Sequence, residues 1–139
     1  MPIVIQGASN SNVISYEFEL RYDPLIIQPL ENPVELVGSV SRGLFVVSNI
    51  ETEGLLKIAA YGPMPLTTDG VLLNLRFRAI GSSGSASSLI WERFMLNEGD
   101  PAVNSIDGRV EISAGASNQA NTKQGISKTA NRNRMVRKN

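Results

Sequence analysis

An all-β sandwich is the predicted fold of this 139-residue chain, and three observations predict it. Short apolar or alternating stretches recur as far as Ile112, turn-forming residues separate them, and no stretch sustains a helical period. The alternation is cleanest from Ser15 to Tyr22, where Tyr16, Phe18, Leu20 and Tyr22 fall on one face and Ser15, Glu17, Glu19 and Arg21 on the other. That is the pattern of a half-buried strand. Asp23-Pro24 ends it, because proline brings no amide hydrogen to a ladder and its ring fixes φ.

Taken in order, Ile3 to Gln6 is a short apolar strand closed by Gly7 and the polar loop Ser9 to Asn12, and Ser15 to Tyr22 follows. Leu25 to Leu30 and Val34 to Val37 are cut by Pro29 and Pro33, which suits sheet edges and excludes a long helix. Leu44 to Val47 and Leu55 to Tyr61 flank a polar loop ending at Gly54, a hairpin pattern. Val71 to Ala79 alternates again, Leu73, Leu75 and Phe77 inward and Asn74, Arg76 and Arg78 outward. Leu89 to Leu96 and Arg109 to Ile112 complete the set, with turns expected at Gly81 to Ser88 and Asn97 to Gly108. About eight short strands in one domain make a two-sheet sandwich, since a single sheet would leave one apolar face in water.

Charge divides the chain. All 13 acidic residues lie at or before Glu111, against seven basic residues before Ala114, so this part carries −6 and the remainder +6. The sequence predicts a folded domain over 1–113 and a basic, polar tail over 114–139 with too few apolar residues to offset the entropy of ordering, hence a disordered linker. Its cations are spread out and lack interleaved aromatics, which disfavours nucleic-acid binding. No apolar run approaches the roughly 18 residues that span a bilayer, and the N-terminus has neither the basic leader nor the apolar core of a signal peptide.

Histidine and cysteine are both absent, which removes disulfides, thiolate metal sites and most nucleophile–base pairs, and no glycine-rich phosphate loop is present. Glu17 and Glu19 share a face, but exposed strand carboxylates without a burial cue have no raised pKa for acid catalysis. A non-enzyme is predicted. Asn97 to Pro101 with Asp107 gathers oxygen ligands that could hold calcium, yet it lacks the alternating ligand pattern and its residues are also those that turns require. Trp91, the only tryptophan, is assigned to the core, with a sugar-stacking platform as the functional alternative.

The ordered features resemble the cohesin domains of cellulosome scaffold proteins and their non-cellulosomal relatives. The resemblance rests on Phe18 to Pro24, Gly54 to Ala60, Asp69 to Phe77, Asn97 to Asp100 and Asp107 to Ile112, in that order and at the expected spacing. It implies a jelly-roll sandwich that binds a dockerin module across one sheet, in an extracellular or cell-surface assembly. No cofactor is implied here; calcium would belong to the partner. In the family, outward polar residues on the strand ending in Tyr-Asp-Pro contact the partner, usually Asn and Asp two positions apart, and Ser15 and Glu17 hold those positions.

The expected binding platform is therefore Ser15, Glu17 and Glu19, with Asn74, Arg76 and Arg78 on another strand. Its acidic residues would favour a partner exposing Lys or Arg. The family's usual first strand has no counterpart here, so an edge near Arg109 to Ile112 is expected to be open and to be covered by the tail, a partner or a second copy. The rival functions are a carbohydrate-binding module, which needs exposed aromatics, and a structural spacer in a surface protein.

Overall fold

A computed structural model describes residues 1–113, together with the backbone of residues 126–128 and 131–135. It is all-β, and the two sheets of the expected sandwich are present. The strands are β1 (Pro2–Ile5), β2 (Ser15–Arg21), β3 (Ile27–Glu35), β4 (Phe45–Asn49), β5 (Leu55–Tyr61), β6 (Gly70–Ala79), β7 (Ala86–Leu96), β8 (Val103–Ile106), β9 (Gly108–Ile112), β10 (Ile126–Lys128) and β11 (Asn131–Met135). One sheet runs β3-β6-β1-β11-β8 and the other β10-β9-β7-β2-β5-β4. Pairing is antiparallel except between β1 and β11. Among the described residues no helix is long and apolar enough to cross a membrane.

The apolar alternation builds the core directly. Tyr16, Phe18 and Leu20 of β2, Leu56 and Ile58 of β5, and Leu89 and Leu96 of β7 are buried from one sheet. Ile3 and Ile5 of β1, Ile27 of β3, and Leu73, Leu75 and Phe77 of β6 are buried from the other. Burying each such side chain contributes roughly 1.5–3 kcal/mol, which holds sheet against sheet. The one deeply buried phenol is satisfied, as Tyr16 Oη lies 2.8 Å from Ser41 Oγ, and burial pushes its pKa well above the ordinary tyrosine value.

Loop chemistry fixes the register. After β2, the Asp23 carboxylate accepts from the Leu25 amide at 2.9 Å, while the Asp23 amide donates to Ser87 Oγ at 2.8 Å, tying the turn to β7. Gly54 adopts φ 81° at the end of the β4–β5 loop, a conformation that favours glycine, and its carbonyl accepts from the Tyr22 amide at 3.0 Å. Asp69 is a comparable clamp between distant segments: its carboxylate accepts from the amides of Gly7 (2.9 Å) and Ala8 (2.8 Å). The Gly7 amide, the largest influence, holds the Asp69 carboxyl below the usual carboxylate range; desolvation opposes it and the Ala8 and Ser9 amides add to it.

A lowered native pKa stabilises the fold above the unfolded-state value, and that contribution is lost as pH falls through the native value. Asp69→Ala is accordingly expected to lose about 1 kcal/mol at pH 7, as for a lost carboxylate cap. Thermal melts of both proteins should converge as the pH falls through the native value of Asp69. A gap in melting temperature that stays constant with pH would assign the loss to packing instead.

Three differences from the sequence reading have physical causes. The stretches cut by Pro29 and Pro33 form one strand, β3, whose pairing with β6 shifts register between Pro29 and Val34, so the prolines sit at an irregularity of an edge strand. Val103–Ile106, expected to be turn, is strand β8, short and mostly exposed, its two apolar residues Val103 and Ile106 three apart and so without an alternation to betray it.

The third difference lies in the tail. Where a disordered linker is expected over 114–139, β10 pairs with β9 (Ile126↔Ile112) and β11 inserts between β1 and β8. A strand held by ladder bonds at a ready edge needs little apolar content, so hydropathy alone does not reveal it. The edge at Arg109 to Ile112 is thus covered by the chain's own tail, one of the three covers expected for it. Residues 114–125, 129–130 and 136–139 of the expected linker lie outside the described residues.

Candidate functional site

The outward face of the β7-β2-β5-β4 region is the candidate site. On β2 the inward residues Tyr16, Phe18 and Leu20 are buried, which obliges Ser15, Glu17, Glu19 and Arg21 to face out. The flanking strands supply their neighbours by register: Glu17 lies opposite Ala59 on β5 and Met95 on β7, and Glu19 lies opposite Lys57 and Arg93. A shallow depression crosses all four strands, lined among others by Glu17, Glu19, Val47, Asn49, Lys57 and Arg93.

Charge on this face cancels, contrary to the expected acidic display. Glu17 is ion-paired with Arg93, and Arg21 Nε donates to Glu92 at 2.6 Å. Glu19 sits between Lys57 and Arg93 in register. The acids Glu17 and Glu19 lie on one strand, but the compensating cations Lys57 and Arg93 come from β5 and β7, which only the fold brings alongside. Half-exposed pairs of this kind contribute about 0–1 kcal/mol to stability. Their effect here is to hold Glu17 and Glu92 in place and neutralise them.

Toward β4 the same face becomes apolar. Phe45 and Tyr61 are direct cross-strand partners, with ring centroids 5.6 Å apart and planes tilted by 31°. They are 64% and 55% exposed, and Val47, two residues along β4, is 59% exposed. The hairpin pattern of Leu44 to Val47 and Leu55 to Tyr61 does not show which side chains face out; register puts Phe45 and Val47 on the face of Ser15 and Glu17, and the edge position of β4 leaves them exposed.

Asn74, Arg76 and Arg78 do not join this surface. They lie on β6, in the opposite sheet, so the single platform expected from alternation is divided between the two sides of the sandwich. The Arg76 guanidinium is occupied there, its Nε donating to the Asn32 carbonyl at 3.0 Å.

Asn97, read from sequence as a turn or calcium ligand, braces the end of the site. In the left-handed conformation (φ 51°), its Oδ1 accepts from the amides of Ile14 (2.9 Å) and Ser15 (3.3 Å). Its Nδ2 donates to the carbonyls of Asn12 (3.2 Å) and Asp100 (2.9 Å). The Asp107 carboxylate accepts from the Trp91 amide at 3.0 Å. Among the described residues no group of three or more His, Cys, Asp or Glu side chains is placed to hold a metal.

The aromatics needed for a sugar platform are mostly committed elsewhere. Trp91 packs edge-on against Phe18 (5.1 Å) and Phe94 (5.2 Å), and its indole N–H donates to the Ile106 carbonyl at 3.0 Å.

The family follows from comparison. The model of the cohesin domain matches residues 1–117. The chain belongs to the cohesin family. Comparison with curated proteins finds no match. Among solved structures, the third cohesin of ScaC from Acetivibrio cellulolyticus, in complex with the ScaB dockerin, is similar at 14% identity and TM-score 0.61, covering 82% of this chain and all of that one. The cohesin module of a family 33 glycoside hydrolase from Clostridium perfringens is similar at 14% identity and TM-score 0.53, over 96% and 92% of the two chains. A non-cellulosomal cohesin from Archaeoglobus fulgidus gives 14% and 0.53, over 99% and 88%. At such identities the likeness is one of fold, and it places the cohesin sandwich on the jelly-roll expected from sequence.

Proposed function

We propose that this cohesin is a non-catalytic protein-interaction module that binds a dockerin-type partner through the outward face of β2, β4, β5 and β7, in an extracellular or cell-surface assembly. The observation that carries the reading is the exposed strip of Phe45, Val47 and Tyr61 beside Ser15, Glu19 and the ion-paired Glu17. A soluble domain rarely leaves such a contiguous apolar surface in water unless something covers it. Two similar cohesins were solved with dockerins, one from ScaC and one from OlpA. Calcium in this reading belongs to the partner.

A calorimetric screen against a dockerin panel, with and without calcium and with soluble oligosaccharides as a parallel arm, tests the proposal. Binding by at least one dockerin is expected, weakened about 3- to 10-fold by Ser15→Ala or Glu17→Ala, the size of one net hydrogen bond each. Dockerin binding indifferent to both changes would move the interface off this face, and binding of oligosaccharide alone would replace the proposal with the carbohydrate reading.

A further inference from the structure

The position of β11 is unlike that of any other strand. It is the last of the described strands yet lies inside a sheet, pairing in parallel with β1 (Ile3↔Asn131, Val4↔Arg132) and antiparallel with β8 (Arg132↔Ile106 through Met135↔Val103). In the strand order β1 and β8 are not neighbours. Lifting β11 out would leave two facing edges, one strand-width apart, each with a row of backbone donors and acceptors lacking partners.

Its sequence, Asn-Arg-Asn-Arg-Met, has one apolar residue in five, and a ladder holds it on each side. A ladder is indifferent to which copy the strand comes from, as in the addition of an extended peptide to a sheet edge. We propose that the gap between β1 and β8 is an acceptor site for an extended strand, filled by Asn131–Met135 from a second copy as readily as by the chain's own, so that copies join by reciprocal exchange of tails.

Two further features favour exchange with a like chain. The +6 tail and the −6 body make each copy's tail complementary to the other's body although the whole chain is neutral. The tail is also reached by a long connection, from Ile112 to Ile126, whose closure entropy depends only weakly on length. A tethered strand competes at an effective concentration in the millimolar range, so the chain's own tail fills the gap in dilute solution and exchange sets in as the protein approaches about 1 mM.

The natural absence of cysteine gives a clean test. Arg134 and Asn104 are register partners, and cross-strand Cα separations of about 4.5–5.5 Å fall within disulfide reach. The double variant Asn104→Cys/Arg134→Cys, oxidised in dilute solution, is expected to give an internally bridged monomer by intact mass. Equimolar Asn104→Cys and Arg134→Cys single variants, incubated near 1 mM and then oxidised, are expected to give a mixed dimer about tenfold more abundant than the control mixture of Asn104→Cys with Lys57→Cys, and added salt should reduce it.

A double variant that never bridges internally would remove β11 from the gap. Internal bridging with no excess mixed dimer would show a strand that fills the gap only in its own chain, and would overturn exchange. Sedimentation of the unsubstituted chain supplies an independent reading: an average mass rising from 15.0 kDa toward twice that value over the same concentration range is expected, and a constant mass counts against the proposal.

Discussion

Phe18→Ala is expected to destabilise the domain by about 3–5 kcal/mol, the range for truncating a buried phenylalanine, a large share of a total stability of about 5–15 kcal/mol. The ring is 1% exposed and sits at the centre of an aromatic group. It stacks on Phe94 at 5.3 Å, meets Trp91 edge-on at 5.1 Å and lies parallel to Tyr16 at 6.4 Å. Three of its neighbours are rings held in one geometry, so the site has few ways to collapse into the space left behind. The melting temperature should fall by about 10–20 °C. Two comparisons isolate the cause. Phe18→Leu refills part of the volume and should cost less than half as much, while Leu25→Ala, at a residue 76% exposed, should stay within about 0.5 kcal/mol of the parent. Equal losses from Phe18→Ala and Phe18→Leu would point to the aromatic geometry, rather than the cavity, as what the position supplies.

Phe18 also marks how far the sequence carries the structure. Alternation over Ser15 to Tyr22 identifies β2, its inward face and its ending at Asp23-Pro24, because a period of two is a local property. The same logic places β5 and β6 within a residue of their ends. It fails where the deciding neighbour is remote in sequence. Nothing in Asn74, Arg76 and Arg78 says that β6 joins β1 and β3 rather than β2, and nothing near Glu17 says that Arg93 will neutralise it. Strands β8 and β11 escape notice for the opposite reason: they are recruited by open ladders and carry no hydrophobic pattern of their own. The resemblance to cohesins points to the outward face of β2, whereas the exposed aromatic pair on that face, Phe45 and Tyr61, becomes visible only when β4 is seen to be an edge strand.

That edge sets the second large effect, in which Phe45→Ala combined with Tyr61→Ala should weaken dockerin binding by about 30- to 1000-fold, or 2–4 kcal/mol. The energies on this face are unequal. Ion-paired Glu17 and Arg21 must surrender existing partners before engaging new ones, so their net gain is small. Phe45 and Tyr61 are more than half exposed, preset against each other across the strands, and carry few rotatable bonds, so a partner that covers them gains apolar burial at little cost in ordering. Stability should hardly change on the double substitution, since both side chains already face water, and a melt of the variant separates lost binding from lost fold. Because the charges on the face cancel, raising the salt from about 0.05 to 0.5 M should alter the dissociation constant only a few-fold. A steep salt dependence, with Glu17→Ala costing more than the aromatic pair, would instead assign recognition to the carboxylates and to a partner with exposed cations.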